Sequence, residues 1–418
     1  MAILLIPQGM AYALIAGLPP IYGLYAALTP QIVYAFLGTS RQLAVGPVAM
    51  DSLLVASGLG ALSLVSPDQY IQMAILLALL MGLIQLLLGL FRMGFIVAFL
   101  SKPVISGFTS AAAIIIGLSQ LKHLLGIAIP QSNKLHIVVE SIFKNNSQIH
   151  FPTLAIGFSG IILLLIIKKW GRRIPASLVI VVLGIGWVYF TKQSEKGVAV
   201  VGLIPEGLPF FSVPDFEWEK IQVLFSTALT LALVAFMEAI SVAKAIEEKH
   251  KNYEVNPNQE LIALGASNII GSLFQSYPTT GGFSRTAVND QAGAKSGIAP
   301  LITASIIAVV LSFFTHWFFY LPKAILASII IVAVANLINI NYAIRLYKTA
   351  KDEFLVLLFT FLLTLFIGIT EGILLGILLS LLLLVYRNSK PHFAFLGRIG
   401  TTNYFKNIHR FPNDVTSR

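Results

Sequence analysis

Apolar runs long enough to cross a hydrocarbon core, at about 20 residues each, recur in this chain from Met1 to about Val385. A segment of that kind is at home in lipid, where its backbone must satisfy its own hydrogen bonds as a helix or in a closed barrel. The runs hold scattered Gly and Pro and lack the ten-residue alternation of barrel strands. The fold class is therefore read as an all-α polytopic membrane protein. Composition agrees, since 57% hydrophobic and only 11% charged residues leave too little polar surface to cover a water-soluble globule.

The first half offers Met1 to Gly17, Ile21 to Gly38, a short stretch Val45 to Leu59, Tyr70 to Phe91, Pro103 to Leu121, Pro152 to Ile167 and Pro175 to Phe190. The second offers Ile221 to Ile246, Leu261 to Phe274, a short stretch Phe283 to Ala292, Pro300 to Tyr320, Ile325 to Ile340, Phe354 to Ile369 and Ile373 to Tyr386. That makes about fourteen segments, about seven in each half. Each half has an unusually short, Gly/Pro-interrupted third element, so the third and tenth helices are expected to be short and broken. Paired short segments of this kind mark inverted repeats with a binding site between them. The repeats are placed at about 1–190 and 219–386, within one transmembrane domain 1–386. Met1 to Gly17 opens with almost no flank and is short for a crossing, so a natural N-terminus further upstream is expected. The lack of a basic flank and the interior Pro7-Gln8-Gly9 argue against a signal peptide.

A net charge of +10 does not point to nucleic acid, because Lys and Arg sit in short loops between apolar segments and form no basic face. Arg92, the cluster Lys168-Lys169-Trp170-Gly171-Arg172-Arg173, Lys249, Lys251, Arg345, Lys348, Lys351 and Arg387 fall on one side if spans alternate, which makes that side cytoplasmic. The longer connections His123 to His150 and Thr191 to Lys220 fall on the other. The chain has no cysteine, which excludes disulfides, thiolate metal sites and thiol nucleophiles. Its seven histidines show no metal-ligand spacing, and no Ser/His/Asp, phosphate-loop or dinucleotide pattern stands in a fitting context. No enzyme, cofactor or metal is expected.

Ionisable groups at mid-membrane positions are costly and are functional candidates by default. Arg285 lies in Thr279-Thr280-Gly281-Gly282-Phe283-Ser284-Arg285-Thr286, where glycines let the backbone turn and the helix that follows presents unpaired N–H groups. A guanidinium beside a helix N-terminus suits an oxyanion, and Ser284 and Thr286 add hydroxyls. The bland alternative is a structural arginine paired with Asp290 or Glu238. Ala44-Val45-Gly46-Pro47-Val48-Ala49 plays the corresponding part in the first half, with Pro47 suited to the opening turn of a helix. Two opposed positive helix ends would then hold an anion at the midplane. Glu238, deep in an apolar helix, is the candidate for gaining and losing a proton during transport. Asp51, in the short third helix, is the second ion-coupling candidate. A permanent ion pair or a capping role is the alternative for both.

Pro20-Ile21-Tyr22-Gly23-Leu24-Tyr25-Ala26-Ala27, continuing to Tyr34-Ala35-Phe36-Leu37-Gly38-Thr39-Ser40-Arg41, closely resembles the signature of the SulP sulfate-permease family. The resemblance extends through Ile6-Pro7-Gln8-Gly9-Met10-Ala11-Tyr12-Ala13, Val45-Gly46-Pro47, Asn258-Gln259-Glu260-Leu261 and Gly281-Gly282-Phe283-Ser284-Arg285-Thr286-Ala287-Val288-Asn289. It implies fourteen segments in two inverted seven-segment repeats, a core and a gate domain, a homodimer, and a cytoplasmic STAS domain after the last span. The tail 387–418, with Phe393-Ala394-Phe395-Leu396-Gly397-Arg398, looks like the start of that domain, cut short. The family's anion site carries over to Gln8, Tyr12, Pro47, Val48, Phe283, Ser284 and Arg285, and its acidic position on the eighth helix to Glu238. A glutamate there is similar to proton-coupled sulfate carriers, whereas sodium-coupled bicarbonate relatives use an aspartate nearby. Asp51 is not part of that pattern.

The expected function is secondary active transport of a small inorganic anion across a cell membrane, by proton-coupled sulfate symport with alternating access. H⁺ is the expected coupling ion, with Na⁺ as the alternative. The rivals are a sodium-coupled bicarbonate carrier, a passive anion channel or exchanger, a voltage-responsive membrane motor and a nucleobase permease. Arg285 argues against the last, because a neutral base wants carboxylate and amide partners.

Overall fold

The computed structural model describes residues 1–60, 62, 66–95, 101–127, 149–170, 175–251, 253–389, 396–399 and 404–407. Gly171-Arg172-Arg173, most of the His123 to His150 connection and Phe393-Ala394-Phe395 lie outside the described residues. The chain divides into two units, Met1–Ile377 and Leu378–Arg418.

The helices of the first unit follow the apolar runs closely. They are α1 Ala2–Ile15, α2 Pro20–Ala26, α3 Thr29–Leu37, α4 Ala49–Gly60, α5 Pro67–Leu90, α6 Lys102–Leu125, α7 Phe151–Trp170 and α8 Ala176–Thr191, then α9 Trp218–His250, α10 Pro257–Leu273, α11 Phe283–Gln291, α12 Ile298–Phe313, α13 Lys323–Ala335, α14 Ile340–Thr349 and α15 Lys351–Phe366. The last apolar helix, α16, runs Ile369–Asn388. Five stretches among the described residues are long and apolar enough to cross a membrane: α5, α6, α7, α9 and the α13–α14 stretch Lys323–Thr349. On α7, large apolar side chains such as Phe158, Ile162 and Leu165 are exposed, as expected of a helix facing lipid rather than water.

Local chemistry explains most boundaries. Ser66 and Asn256 cap α5 and α10 by accepting backbone N–H groups, and each helix then opens with a proline, which loses nothing at that position. The single segment expected over Ile21 to Gly38 is two helices. Pro30 in the first turn of α3 has no N–H to give residue 26, so the helix ends at Ala26 and restarts at Thr29. The segment expected to reach Tyr320 ends at Phe313 and continues as a 3₁₀ turn over Thr315–Phe318. The amphipathic helix α14 was expected to be a basic loop. It forms because Leu346 turns inward and Asn339 caps its start.

Two extended dipeptides join the halves. β1 Val45–Gly46 and β2 Thr280–Gly281 pair antiparallel, with Val45 opposite Gly281 and Gly46 opposite Thr280. β1 leads into α4 and β2 into α11, so these short helices start at opposite ends of one small ladder, as inverted halves require. α10 packs on α5 and α3, and α9 on α5. The α5–α10 seam brings backbones together at Gly265, where a Cβ would lie 2.5 Å from the Leu86 backbone nitrogen, the small-residue packing common between membrane helices. The second unit holds the end of α16 and a hairpin, β3 Leu396–Arg398 paired with β4 Phe405–Asn407.

Candidate functional site

The ladder is anchored from two helices, α9 and α10, which α5 braces in turn. Gln85 on α5 donates to the Ala232 carbonyl of α9, and Asn268 on α10 both accepts the Thr279 N–H at 2.9 Å and donates to the Thr279 carbonyl at 3.0 Å. Thr280 donates to the Ala235 carbonyl at 2.6 Å. Buried polar groups bonded in this way fix a strand that has only two residues of its own ladder to hold it. Beyond the ladder, the Gly282 N–H donates to the Ala44 carbonyl, and the Ala44 N–H donates to the Thr286 hydroxyl, each at 3.0 Å.

At both helix starts the first amides have no partner within the helix. The first bond of α4 is Ser52 N–H to the Val48 carbonyl, and the first of α11 is Thr286 N–H to the Gly282 carbonyl, both 3.0 Å. Arg285 leaves the first turn of α11, is 2% exposed, and reaches across the ladder so that Nη1 donates to the Pro47 carbonyl. Its Nε and Nη2 are buried with no hydrogen-bond partner among the described residues. The guanidinium lies over Gly282, where a Cβ would stand 2.6 Å from Nη2; glycine is what lets the side chain fold back.

Arg285 is within electrostatic reach of Tyr12 on α1, Glu238 on α9, Asp51 on α4 and Tyr277 ahead of β2. Neither carboxyl forms an ion pair with it among the described residues, and both oxygens of Asp51, Oε2 of Glu238 and Oε1 of Gln8 are buried without partners. Asp290, the other acid considered for Arg285, instead meets Lys249 and His250. The arginine therefore keeps donors to offer, and a buried cation with free N–H groups between two helix N-termini can hold an oxyanion.

The remaining sequence-derived residues divide. Pro47 and Val48 are buried where β1 turns into α4, and Tyr12 is buried on α1. Phe283 and Ser284 are exposed at the start of α11. Thr286, expected to offer a hydroxyl to the ligand, has its hydroxyl occupied: it donates to the Gly282 carbonyl at 2.8 Å and accepts from Ala44. Its part is to clasp the start of β1 to the start of α11. Tyr277 was missed by sequence reading. It is fully buried, and its hydroxyl lies 3.0 Å from that of Ser52; a tyrosine in an apolar run, needing a partner for its polar tip, was the available signal.

A helical membrane fold of two inverted halves, with broken helices meeting at a buried arginine, defines an integral membrane protein of the transporter type. The chain belongs to the sulfate permease family, whose sequence model matches residues 1–360. It is 42% identical over 424 residues to the chloroplastic sulfate transporter 4.1 of Arabidopsis thaliana, an alignment covering 99% of this chain and 61% of that protein; the chain thus spans about three fifths of that relative. Its fold resembles the murine Solute Carrier 26 family member A9 anion transporter in the inward-facing state, with a TM-score of 0.89 and 27% identity, covering 100% of this chain and 72% of that one. It also shares the fold of the transmembrane domain of the cyanobacterial bicarbonate transporter BicA, with a TM-score of 0.78 and 23% identity, covering 91% of this chain and 94% of that one.

Proposed function

We propose that the protein is a secondary active transporter of a small inorganic anion, working by proton-coupled sulfate symport with alternating access in a cell membrane, as a homodimer with its C-terminus in the cytoplasm. The observation that carries this reading is Arg285, buried between two helix N-termini with two donor nitrogens unpartnered among the described residues. Tyr12 and Gln8 supply further polar groups from α1, and Ser284 from α11. The relatives named as sulfate transporters favour sulfate among oxyanions. Glu238 supplies the proton-carrying group. Its unbonded Oε2 sits in Coulombic range of the arginine, so a proton taken up there and an anion bound at Arg285 favour one another.

The test is labelled sulfate uptake into proteoliposomes under an inward proton gradient, challenged by bicarbonate, chloride and fumarate. Arg285→Ala is expected to abolish saturable uptake while the protein remains folded in the membrane, and Arg285→Lys to restore it in part, since a point charge lacks the fork. Uptake by the alanine variant equal to wild type would make the arginine structural. Uptake that follows sodium and is displaced by bicarbonate at far lower concentration would replace both the substrate and the coupling ion.

A further inference from the structure

The surroundings of Arg285 hold one more acid than proton-coupled anion binding requires. Asp51 is the third residue of α4, fully buried, and neither carboxyl oxygen has a hydrogen-bond partner among the described residues. Helix α4 packs against α1, α5, α6 and α9. The charged groups that bear on Asp51 are Glu238 from α9 and Arg285 from α11, joined by Tyr277, which precedes β2. Tyr12 on α1 bears on Arg285 and Glu238. The charged residues of α5 and α6 sit at the helix ends, as Asp68, Lys102, Lys122 and His123. With Arg285 free, its nearby guanidinium offsets a charge on Asp51; once an anion occupies Arg285 that offset is gone, and a buried carboxylate with no bonded partner is costly, so Asp51 then needs a proton, or a cation brought to it.

We propose that Asp51 is a second proton-carrying carboxyl, so that two protons, one on Asp51 and one on Glu238, cross with each divalent oxyanion. The proposal rests on the proton-coupled reading above and adds a stoichiometry to it. The charge count motivates it. With both acids ionised and Arg285 free, the three groups carry one net negative charge. With both acids protonated and a divalent anion on Arg285, they again carry one. The moving part of the transporter then presents the same charge to the membrane loaded and empty, and each cycle is electroneutral. A single proton would leave the loaded site one charge more negative than the empty one.

The experiment uses proteoliposomes with labelled sulfate, an inward gradient of about one pH unit, and a potassium–valinomycin clamp. Each coupled proton contributes about tenfold to the accumulation limit per pH unit. At zero potential, wild type is expected to reach about 100-fold accumulation and Asp51→Asn about 10-fold. An inside-negative potential of about 60 mV should leave wild type unchanged and reduce the variant by a further factor of about ten, because one negative charge now moves per cycle. Equal accumulation by Asp51→Asn and wild type, or a wild-type limit that shifts with potential, overturns the second proton site while leaving proton coupling through Glu238 intact. A wild type that accumulates nothing on a proton gradient overturns both. Should the asparagine variant not fold, proton and sulfate fluxes counted together on wild type decide the matter, since a ratio of about two is required and a ratio of about one refutes it.

Discussion

Arg285 shows how a single buried residue is given work. A structural arginine would have its fork closed by a carboxylate, yet here one nitrogen donates to the Pro47 carbonyl and two remain unbonded among the described residues, while Asp290 is taken by Lys249 and His250. Leaving such donors buried without a partner costs about 1–3 kcal/mol each, a cost that the proposed oxyanion would remove on binding. Glu238 is the counterpart on α9. Glu238→Gln keeps the shape and loses the titrating group, so proton-driven accumulation is expected to disappear while downhill flux or anion exchange continues. A pH-jump uptake assay checks this, and a glutamine variant that still concentrates sulfate removes Glu238 from the coupling. Thr286 teaches the opposite lesson. Its hydroxyl looked available in sequence, but a backbone group just ahead of β1 and another at the start of α11 use it, and only the folded neighbourhood could reveal that.

Among the elements, the two short helices depend on backbone proximity at their starts. Gly282 has an ordinary negative φ of −91°, so alanine is conformationally tolerated there, but its Cβ would meet the guanidinium of Arg285. Gly282→Ala should therefore fold normally by circular dichroism and lose most sulfate uptake through displacement of Arg285. Wild-type uptake would mean that the guanidinium has room to move. A second tie acts one element away. The Glu260 carboxyl, fully buried on α10, accepts from the Tyr34 hydroxyl at 2.7 Å, the Thr39 N–H at 2.7 Å, the Thr39 hydroxyl at 2.6 Å and the Ser40 N–H at 3.1 Å. It thereby holds the turn between α3 and β1, and with it Pro47, to a helix more than two hundred residues away. Glu260→Gln turns an amide NH₂ toward donors and is expected to lower stability by about 1–3 kcal/mol, seen as a reduced Tm of the detergent-solubilised protein.

For the whole molecule, the distribution of basic residues sets the orientation we propose. Lys249, Lys251, Lys348 and Lys351 should share the cytoplasmic side, and Lys196 the opposite one. Because the chain has no cysteine, single substitutions such as Lys249→Cys, Lys348→Cys and Lys196→Cys can be labelled with a membrane-impermeant maleimide without further engineering. The first two should react only from the cytoplasmic face and the third only from outside. Labelling of Lys249→Cys and Lys348→Cys from opposite faces would break the proposed topology. The Thr191 to Lys220 connection, expected only as a long loop, is strapped down: Val201 donates to the Leu321 carbonyl, Lys323 to that of Ala199, and Ser212 to that of Leu273, each at 2.9 Å.

Hydrophobicity and helix punctuation are local properties, and for that reason the all-helical membrane class, most segment boundaries and the two interrupted segments were legible in residues alone. Arg285, Glu238 and Asp51 stood out for the same reason, since a charge within an apolar run is conspicuous without knowledge of its neighbours. Pairings between distant residues are not local. Nothing in Val45–Gly46 or Thr280–Gly281 says that they pair, that Tyr277 meets Ser52, that Glu260 bonds Tyr34, or that Asp51 and Glu238 bear on one guanidinium from different helices. Those facts depend on how α4, α9 and α11 are brought together around a ladder of two residues per strand. Packing and desolvation act between groups across space, so whether a buried polar atom finds a partner or is left free for a ligand was decided by the tertiary structure alone.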